Sequence, residues 1–309
     1  MAGMIARRLA LGIFVLWGAV TLMFFLIRVA PGDPAATMLG PDATLEEIEA
    51  LRGRLGLDRP VALQYLSYLG QLLTLDFGVS ARSNLSALDL VLSRLPATMQ
   101  LTLSSATIAV IVGLSLSLAG SRRPDGVLDR VFSVISICFQ GMPTFWVGIM
   151  LILLFSLRLR ILPSYGAGSL RNLVLPAVTL ALPFVAIIAR ISRATFTEAM
   201  REPYIQTALS KGLTSGQALR GHAFRNAVGP VVTIIGLQIG TMIGGAVVVE
   251  NVFAWPGLGT LIVGSVANRD YAVVQAAVLI IALFVLALTL ITDIANAWLD
   301  PRIRTGGVS

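Results

Sequence analysis

Long apolar runs without a charged side chain alternate with polar segments along the whole chain. Six of these runs are long enough to cross about 30 Å of hydrocarbon as helices, and they cover residues 9–27, 95–121, 131–157, 172–189, 226–249 and 271–292. A seventh run, 251–268, contains Trp255-Pro256-Gly257, a combination that interrupts a helix. The pattern therefore predicts six membrane-spanning helices, with a turn and a short re-entrant or interfacial helix before the last one.

The positions of arginine and lysine predict the orientation of these spans. The segments on the side of the two termini carry thirteen such residues, whereas the short loops on the opposite side carry four. The remaining six lie in one long loop, and long loops cross the membrane largely regardless of their charge. Because basic loops stay in the cytoplasm, we expect both termini to be cytoplasmic.

The longest polar segment on the outer side, residues 29–94, is expected to fold into a small helical subdomain. Thr44 and Glu47 have the spacing of a capping box, which starts a helix that Gly56 would close. Residues 61–75 place apolar side chains at helical spacing and predict a second, amphipathic helix. Two roles stay open for this subdomain: a solvated cap on the membrane surface, or a docking or gating surface.

On the cytoplasmic side, the segment from about 190 to 225 is the largest between two spans. Its pattern predicts two or three short amphipathic helices that are broken at Pro203 and Gly212. The chain is thereby divided into 1–94, the first span with the external subdomain, and 95–300, a membrane domain of five helices. A cytoplasmic tail, 301–309, follows.

Composition narrows the functional class. Hydrophobic residues make up 56% of the 309 residues and charged residues 13%, with a mean hydropathy of +0.85, whereas soluble domains carry about 25% charged residues. Arginine-rich cytoplasmic loops account for the net charge of +7 without a nucleic-acid partner. Cys138 and His222 are the single residues of their types, which excludes a disulfide framework and a multi-histidine metal centre.

The sequence contains neither a Gly-x4-Gly-Lys-Ser/Thr phosphate loop nor a Gly-x-Ser-x-Gly nucleophile motif. We therefore expect this chain to be no enzyme, to hydrolyse no ATP by itself and to hold no cofactor or metal. These observations favour a non-enzymatic membrane component, namely a permease, a channel or an assembly subunit.

One motif in the cytoplasmic segment distinguishes among these classes. It comprises Thr207-Ala208, Lys211-Gly212-Leu213, Arg220, His222-Ala223 and Arg225-Asn226-Ala227. The motif resembles the cytoplasmic loop of binding-protein-dependent ABC importer permeases, in the variant of the peptide- and nickel-type members. Gln206 and Thr207 stand where the common family pattern has Glu and Ala, and Phe224-Arg225 where it has Leu-Pro.

Further segments, in the same order along the chain, resemble the B-type subunit of dipeptide and oligopeptide permeases. They are Pro31-Gly32-Asp33-Pro34, Leu55-Gly56-Leu57-Asp58, Asp76-Phe77-Gly78, Trp255-Pro256-Gly257 and Asp300-Pro301-Arg302. The resemblance covers nearly the whole chain; it is specific to the subfamily and unspecific about the substrate.

This resemblance implies an all-α fold, the type I ABC importer transmembrane domain, in a bacterial cytoplasmic membrane. It implies a second homologous permease subunit, two ATP-binding subunits that hold ATP and Mg, and an external solute-binding protein or lipoprotein, besides membrane lipid. Dipeptides or short oligopeptides are the expected cargo. Nickel chelates, glutathione and haem stay open as alternatives.

The resemblance also implies which residues contact the ATP-binding subunits. These are Tyr204, Gln206, Thr207, Ala208, Leu209, Lys211, Gly212, His222, Arg225 and Asn226. Helical spacing places Tyr204, Thr207, Ala208 and Lys211 on one face, where small side chains would allow close approach. At Gly212 we expect a positive φ or a close neighbouring chain. The alternative is that all of these are ordinary residues of a basic cytoplasmic loop.

Few polar residues lie within the spans, and three of them, together with two methionines, are candidates for lining a translocation path. The candidates are Gln140, Met142, Gln238, Thr241 and Met242, since intramembrane polar groups usually face a bundle interior or a cavity. The alternative role is hydrogen bonding or packing between helices. A nearby set of small residues is expected to permit close packing with the partner permease: Gly236, Gly240, Gly244 and Gly245.

A rival function is that of a self-contained secondary transporter or channel. Ion-coupled transport needs ionisable side chains inside the membrane. The six apolar runs contain none, which counts against this rival.

Overall fold

The computed structural model describes residues 2–29, 34–39, 43–54, 56–121, 139–218, 221 and 224–299. Within these residues the chain is helical apart from turns and one isolated antiparallel bridge, Val79–Ser86. The helices are α1 (Ala2–Val29), α2 (Pro34–Leu39), α3 (Leu45–Arg54), α4 (Val61–Leu73), α5 (Ala87–Ser121), α6 (Thr144–Leu151), α7 (Leu170–Met200), α8 (Pro203–Ser210), α9 (Ser215–Ala218), α10 (Phe224–Val252), α11 (Leu258–Ala267) and α12 (Tyr271–Leu299). A π-helical segment, Ile152–Arg158, continues α6.

Five helices among the described residues are long and apolar enough to span a membrane: α1, α5, α7, α10 and α12. Helices satisfy their own backbone hydrogen bonds, which is why they are stable in a solvent without donors or acceptors. The expected third span, 131–157, lies partly outside the described residues, and its described part is a short apolar helix that begins after Pro143. The expected count of six spans therefore stays a prediction.

The chain divides into two compact units, which are described separately. The first unit comprises Thr98–Trp255 together with the two chain ends, Met1–Ile5 and Ala287–Ser309. In it, α6, α7 and α10 pack against one another. Gly148 on α6 permits this packing, because an added Cβ would lie only 3.1 Å from the Phe253 ring.

One buried carboxylate marks the end of α10 in the first unit. Glu250 is fully buried and accepts a hydrogen bond from the Thr98 hydroxyl at 2.6 Å. Its backbone carbonyl accepts a second bond, at 2.8 Å, from the amide of Trp255 just after the helix. A buried carboxylate requires such a partner as the Thr98 hydroxyl. The separate backbone bond from Trp255 closes the end of α10 where the expected turn begins.

The second unit comprises Ala6–Ala97 and Pro256–Leu286. Its core includes a cluster of Val20, Phe24, Tyr68 and Leu279, which packs α1 and α4 together with the start of α12. The Thr21 and Tyr65 hydroxyls share a hydrogen bond of 2.6 Å. This unit contains the predicted short helix after the Trp255-Pro256-Gly257 break, which is α11.

The local predictions for residues 43–73 are confirmed. The Thr44 amide donates to the Glu47 carboxylate at 2.9 Å and the Glu47 amide to the Thr44 hydroxyl at 3.3 Å, which forms the capping box of α3. Hydrogen bonds from Thr44 lower the pKa of Glu47. Gly56 follows with a φ of 65°, and α4 is the expected amphipathic helix. That these helices lie outside the cell stays a prediction.

Burial of α4 against α1 is visible in the electrostatics of Tyr68. Its phenol is largely removed from water, and this desolvation raises its pKa to about 12. Tyr68 is therefore a neutral packing residue at physiological pH, and α4 belongs to the core of the second unit rather than to a detached loop.

Candidate functional site

The segment between α7 and α10 carries the first candidate site, a surface helix held on an apolar base. Helix α8 begins with Pro203 at its first turn, where a missing amide hydrogen costs nothing. Its Ile205 side chain is fully buried in a cluster with Phe196, Ala227 and Val231. This cluster, which also includes Ala218, is called the Ile205 cluster below. It packs α8 and α9 against the ends of α7 and α10.

The opposite side of α8 is open to solvent. Tyr204, Gln206, Thr207 and Ser210 are exposed, as is Lys211, which follows the helix. The Thr207 hydroxyl donates its hydrogen to the Pro203 carbonyl at 3.1 Å, so only its acceptor positions remain for other groups. This exposed side, Tyr204 to Lys211, is called the α8 face below.

Only some of the α8 residues that the sequence predicts to contact a partner are exposed. Ala208 is 9% exposed and lies against its own chain, and Leu209 packs against the Ile205 cluster. Helical rotation places them beside Ile205 rather than beside Gln206. The structure thus brings Tyr204, Thr207 and Lys211 to the surface, whereas Ala208 and Leu209 support the helix from below.

Gly212 ends α8 with a positive φ of 90°, and this part of the sequence-based expectation is confirmed. An added Cβ at Gly212 would meet nothing within 4 Å, so the glycine is required by backbone conformation and not by close packing within the chain. After the turn, the Thr214 amide donates to the Gln217 side chain at 2.9 Å. This capping box starts α9.

Three residues of the sequence motif, Arg220, His222 and Ala223, lie outside the described residues. The side chains of Arg225 and Asn226 also lie outside them, although their backbones belong to the first turn of α10. Their predicted roles stay predictions.

A second candidate surface lies along α10. Thr233, Leu237, Thr241, Gly244 and Val248 are all exposed, and their spacing of three or four residues places them on one side of the helix. This side is called the α10 face below. It is apolar except for the two threonines, and the Thr241 hydroxyl is occupied by the Gln238 carbonyl at 2.8 Å.

The five path candidates are distributed over different environments. Thr241 lies on the α10 face, and Gln238 is partly exposed beside it. Met242 is 1% exposed and therefore faces the interior of its own chain. Gln140 and Met142 are partly buried, and the Gln140 Nε2 atom is buried without a hydrogen-bond partner among the described residues. The structure does not bring the five together.

The glycines of α10 do not act as one set. A Cβ at Gly236 would clash with Thr292 of the same chain, and a Cβ at Gly245 would lie 3.3 Å from Leu180. Both therefore permit packing within this chain, contrary to the expectation of a partner-facing stripe. At Gly244, by contrast, an added Cβ would meet nothing within 4 Å.

Among the described residues, no group of three or more His, Cys, Asp or Glu side chains is arranged to hold a metal ion. Sequence reasoning missed Leu237 and Val248 of the α10 face, because exposed and buried apolar residues have the same signature in a membrane span. It also missed Thr98 as the partner of Glu250, since 152 positions separate them.

The chain is similar in sequence to known transport proteins along nearly its whole length. Residues 93–305 match the family model described as binding-protein-dependent transport system inner membrane component, and residues 1–102 match the model of its N-terminal part. The chain is 39% identical over 283 residues to the glutathione transport system permease protein GsiC of Escherichia coli (strain K12), with 92% of each chain covered. It is 36% identical over 308 residues to the probable peptide ABC transporter permease protein y4tP of Sinorhizobium fredii, covering 97% of this chain and 98% of that protein.

Two solved structures share the fold. The inward-facing MetNI methionine ABC transporter matches with a TM-score of 0.58 at 19% identity, over 68% of this chain and 96% of that chain. An amino acid ABC transporter with histidines matches with a TM-score of 0.52 at 21% identity, over 69% and 94%. At these identities the likeness concerns the fold alone.

The conformation of Gly212 gives a testable prediction with a matched control. Gly212→Ala should destabilise the end of α8 by about 1–3 kcal/mol, because alanine rarely adopts this φ. Amide hydrogen exchange in residues 203–213 should therefore be about fivefold to a hundredfold faster. Gly216→Ala adds the same methyl group, also into open space, within α9. It should leave exchange unchanged or slower, and equal exchange in the two variants would contradict the role of φ.

Proposed function

Because the chain belongs to the family of binding-protein-dependent transport system inner membrane components, we propose that it is the permease subunit that carries dipeptides or short oligopeptides through an ABC importer. Membership makes it a multi-pass membrane component, with ATP-binding and substrate-binding partners and with ATP hydrolysis on separate subunits. The proposal concerns its cargo, its orientation and the surfaces that it uses.

The observation that supports peptide cargo is similarity along nearly the full chain. A protein named as a probable peptide permease aligns over 97% of this chain, including the N-terminal region that the second family model matches. The second candidate cargo is glutathione, which is itself a small peptide and is named for a relative at 39% identity. Nickel chelates and haem are less well supported, because neither is named in these relatives.

We assign coupling to the α8 face. A surface helix can transmit movement only if it is firmly attached to the elements that must move. Helix α8 meets this condition, since the buried Ile205 side chain joins it to α7 and α10, while Gln206 and Thr207 stay available for a partner. The ATP-binding subunits, which hold ATP and Mg, are the partner proposed for this face.

The α10 face is proposed to meet the translocation path or the second homologous permease subunit. An exposed apolar helix face in a membrane protein contacts lipid, another helix or a path. Thr233 and Thr241 supply the polar groups at this face and Gln238 is partly exposed beside it, whereas Met242 belongs to the interior.

The cargo and the coupling surface are tested together by reconstitution. The complex of this chain, its partner permease and its ATP-binding subunits is placed in proteoliposomes with the solute-binding protein and ATP. Labelled dialanine should accumulate faster than a nickel–histidine chelate or haem. Accumulation of the chelate or haem without dialanine would contradict peptide cargo, and exclusive uptake of glutathione would select the second candidate.

Two matched variants locate the coupling surface in the same assay. Gln206→Arg places a bulky charge on the α8 face and should reduce co-purification of the ATP-binding subunits and uptake by about tenfold, as for a central interface position. Gln71→Arg makes the same change on the exposed side of α4 and should leave co-purification of those subunits unchanged. Normal assembly and uptake with Gln206→Arg would refute the assignment.

The proposed orientation, with both termini cytoplasmic, has its own test. Ser67 and Ser210 are exposed helical serines, which the proposal places outside and inside the cell respectively. In a Cys138→Ala background, Ser67→Cys should react with a membrane-impermeant maleimide in intact spheroplasts, and Ser210→Cys only after lysis. The reverse labelling order would overturn the orientation.

A further inference from the structure

A cavity of about 320 Å³ lies in the second unit, between the turn before α5 and the loop that joins α11 to α12. Its volume is in the range of small-molecule sites. Its lining includes the polar or charged residues Arg82, Arg94, Ser265 and Asp270. None of these four residues belongs to the α8 or α10 face.

The inner wall of the cavity is built around Asp270. This residue is 4% exposed, and its carboxylate accepts hydrogen bonds from the Ser80 hydroxyl and from the Ala81 amide, the latter at 3.3 Å. Ser80 is itself 2% exposed and accepts bonds from the amides of Arg82 and Ser83. The turn at 80–83 is therefore fixed to Asp270, and this arrangement holds Arg82 at the cavity.

The groups that line the cavity retain unused hydrogen-bonding capacity. Ser265 is 7% exposed, and within the described residues its hydroxyl has no hydrogen-bond partner. A carboxylate has about four acceptor positions, and the described contacts of Asp270 use two of them. A hydroxyl and a carboxylate that retain free hydrogen-bonding positions at a cavity wall can bind the polar groups of a ligand or water.

The rim of the cavity is cationic. Arg82 and Arg94 are exposed, and in the described part of the chain neither guanidinium makes a hydrogen bond or ion pair. A guanidinium presents five donors in a planar fork that matches a carboxylate. The cavity thus combines two free cations at its mouth with one anion at its wall.

A ligand that satisfies both signs of charge must carry a carboxylate and an ammonium group. We infer that this cavity binds the charged ends of a short peptide, with the carboxylate at Arg82 and Arg94 and the ammonium at Asp270. The inference rests on the proposed peptide cargo and assigns to it a site that is separate from the α10 face. A simple anion, such as a lipid phosphate or an acidic side chain, would leave Asp270 unsatisfied.

The test is equilibrium binding to the purified permease complex in lipid nanodiscs, with neither nucleotide nor binding protein present. The probes are radiolabelled dialanine, its C-terminal amide and its N-acetyl derivative. Both modified probes should bind about tenfold or more weakly than dialanine, because each loses one charge-assisted contact. Equal binding of all three, or no binding of dialanine, would overturn the inference.

Variants assign each end of the probe to its partner. Arg94→Gln should weaken dialanine about tenfold but should not weaken the amide further, because the amide has already lost that contact. Asp270→Asn should likewise weaken dialanine and leave the N-acetyl derivative unchanged. Arg59→Gln changes another exposed arginine of the same segment, outside the cavity lining, and should bind all probes normally.

Each unfavourable outcome is separable from a failure of the proposed function. A uniform loss of all three probes in Arg94→Gln would indicate a structural effect and contradict the assignment of the carboxylate. ATP-driven uptake of dialanine without cavity binding would refute only the inference. Cavity binding of dialanine in a complex that transports a different cargo would refute only the proposed cargo.

Discussion

Burial of the Ile205 side chain is the interaction on which the segment between α7 and α10 depends. Helix α8 has eight residues, and isolated helices of that length are unstable in water. Its stability must therefore come from tertiary packing, which the Ile205 cluster supplies by joining it to α7 and α10. The exposed α8 face and the Gly212 turn both exist because this contact holds the helix in place.

The same contact explains how a surface helix could serve a membrane protein. Helices α7 and α10 are membrane-spanning by length and composition, and the ends of these helices nearest α8 carry Phe196 and Val231 of the Ile205 cluster. A close-packed interior transmits displacement because it is not easily compressed. A partner that moves the α8 face would therefore move the ends of two membrane helices, which is the mechanical requirement of an ATP-driven permease.

Local sequence signals predicted much of this architecture. The capping box at Thr44 and the helix breaks at Pro203, Gly212 and Trp255-Pro256-Gly257 depend on residues close together in the chain, and the structure confirms them. Contacts between distant residues were not predictable in this way. Ser80 and Asp270 are 190 positions apart, and nothing in the local pattern near either one indicates that they form the wall of a cavity.

The sequence also did not predict which side of a short helix is buried. Period alone placed Ala208 with Thr207 on one predicted face, but rotation about the α8 axis is decided by the largest apolar side chain that can be buried. Ile205 fills that role, so Ala208 and Leu209 turn toward the protein. Within the spans, burial is even harder to predict from the sequence. Met242 is buried and Leu237 is exposed, although both are apolar residues of the same apolar run.

The proposed coupling of the α8 face to the membrane helices through Ile205 is measured most directly by the number of peptides transported per ATP hydrolysed in proteoliposomes. Ile205→Ala removes buried packing worth about 2–5 kcal/mol and should lower this ratio by about tenfold or more in complexes that still hydrolyse ATP. Ile188→Ala makes the same change in a different buried cluster on α7 and should lower it far less. An unchanged ratio in Ile205→Ala, or an equal fall in both variants, would contradict the account.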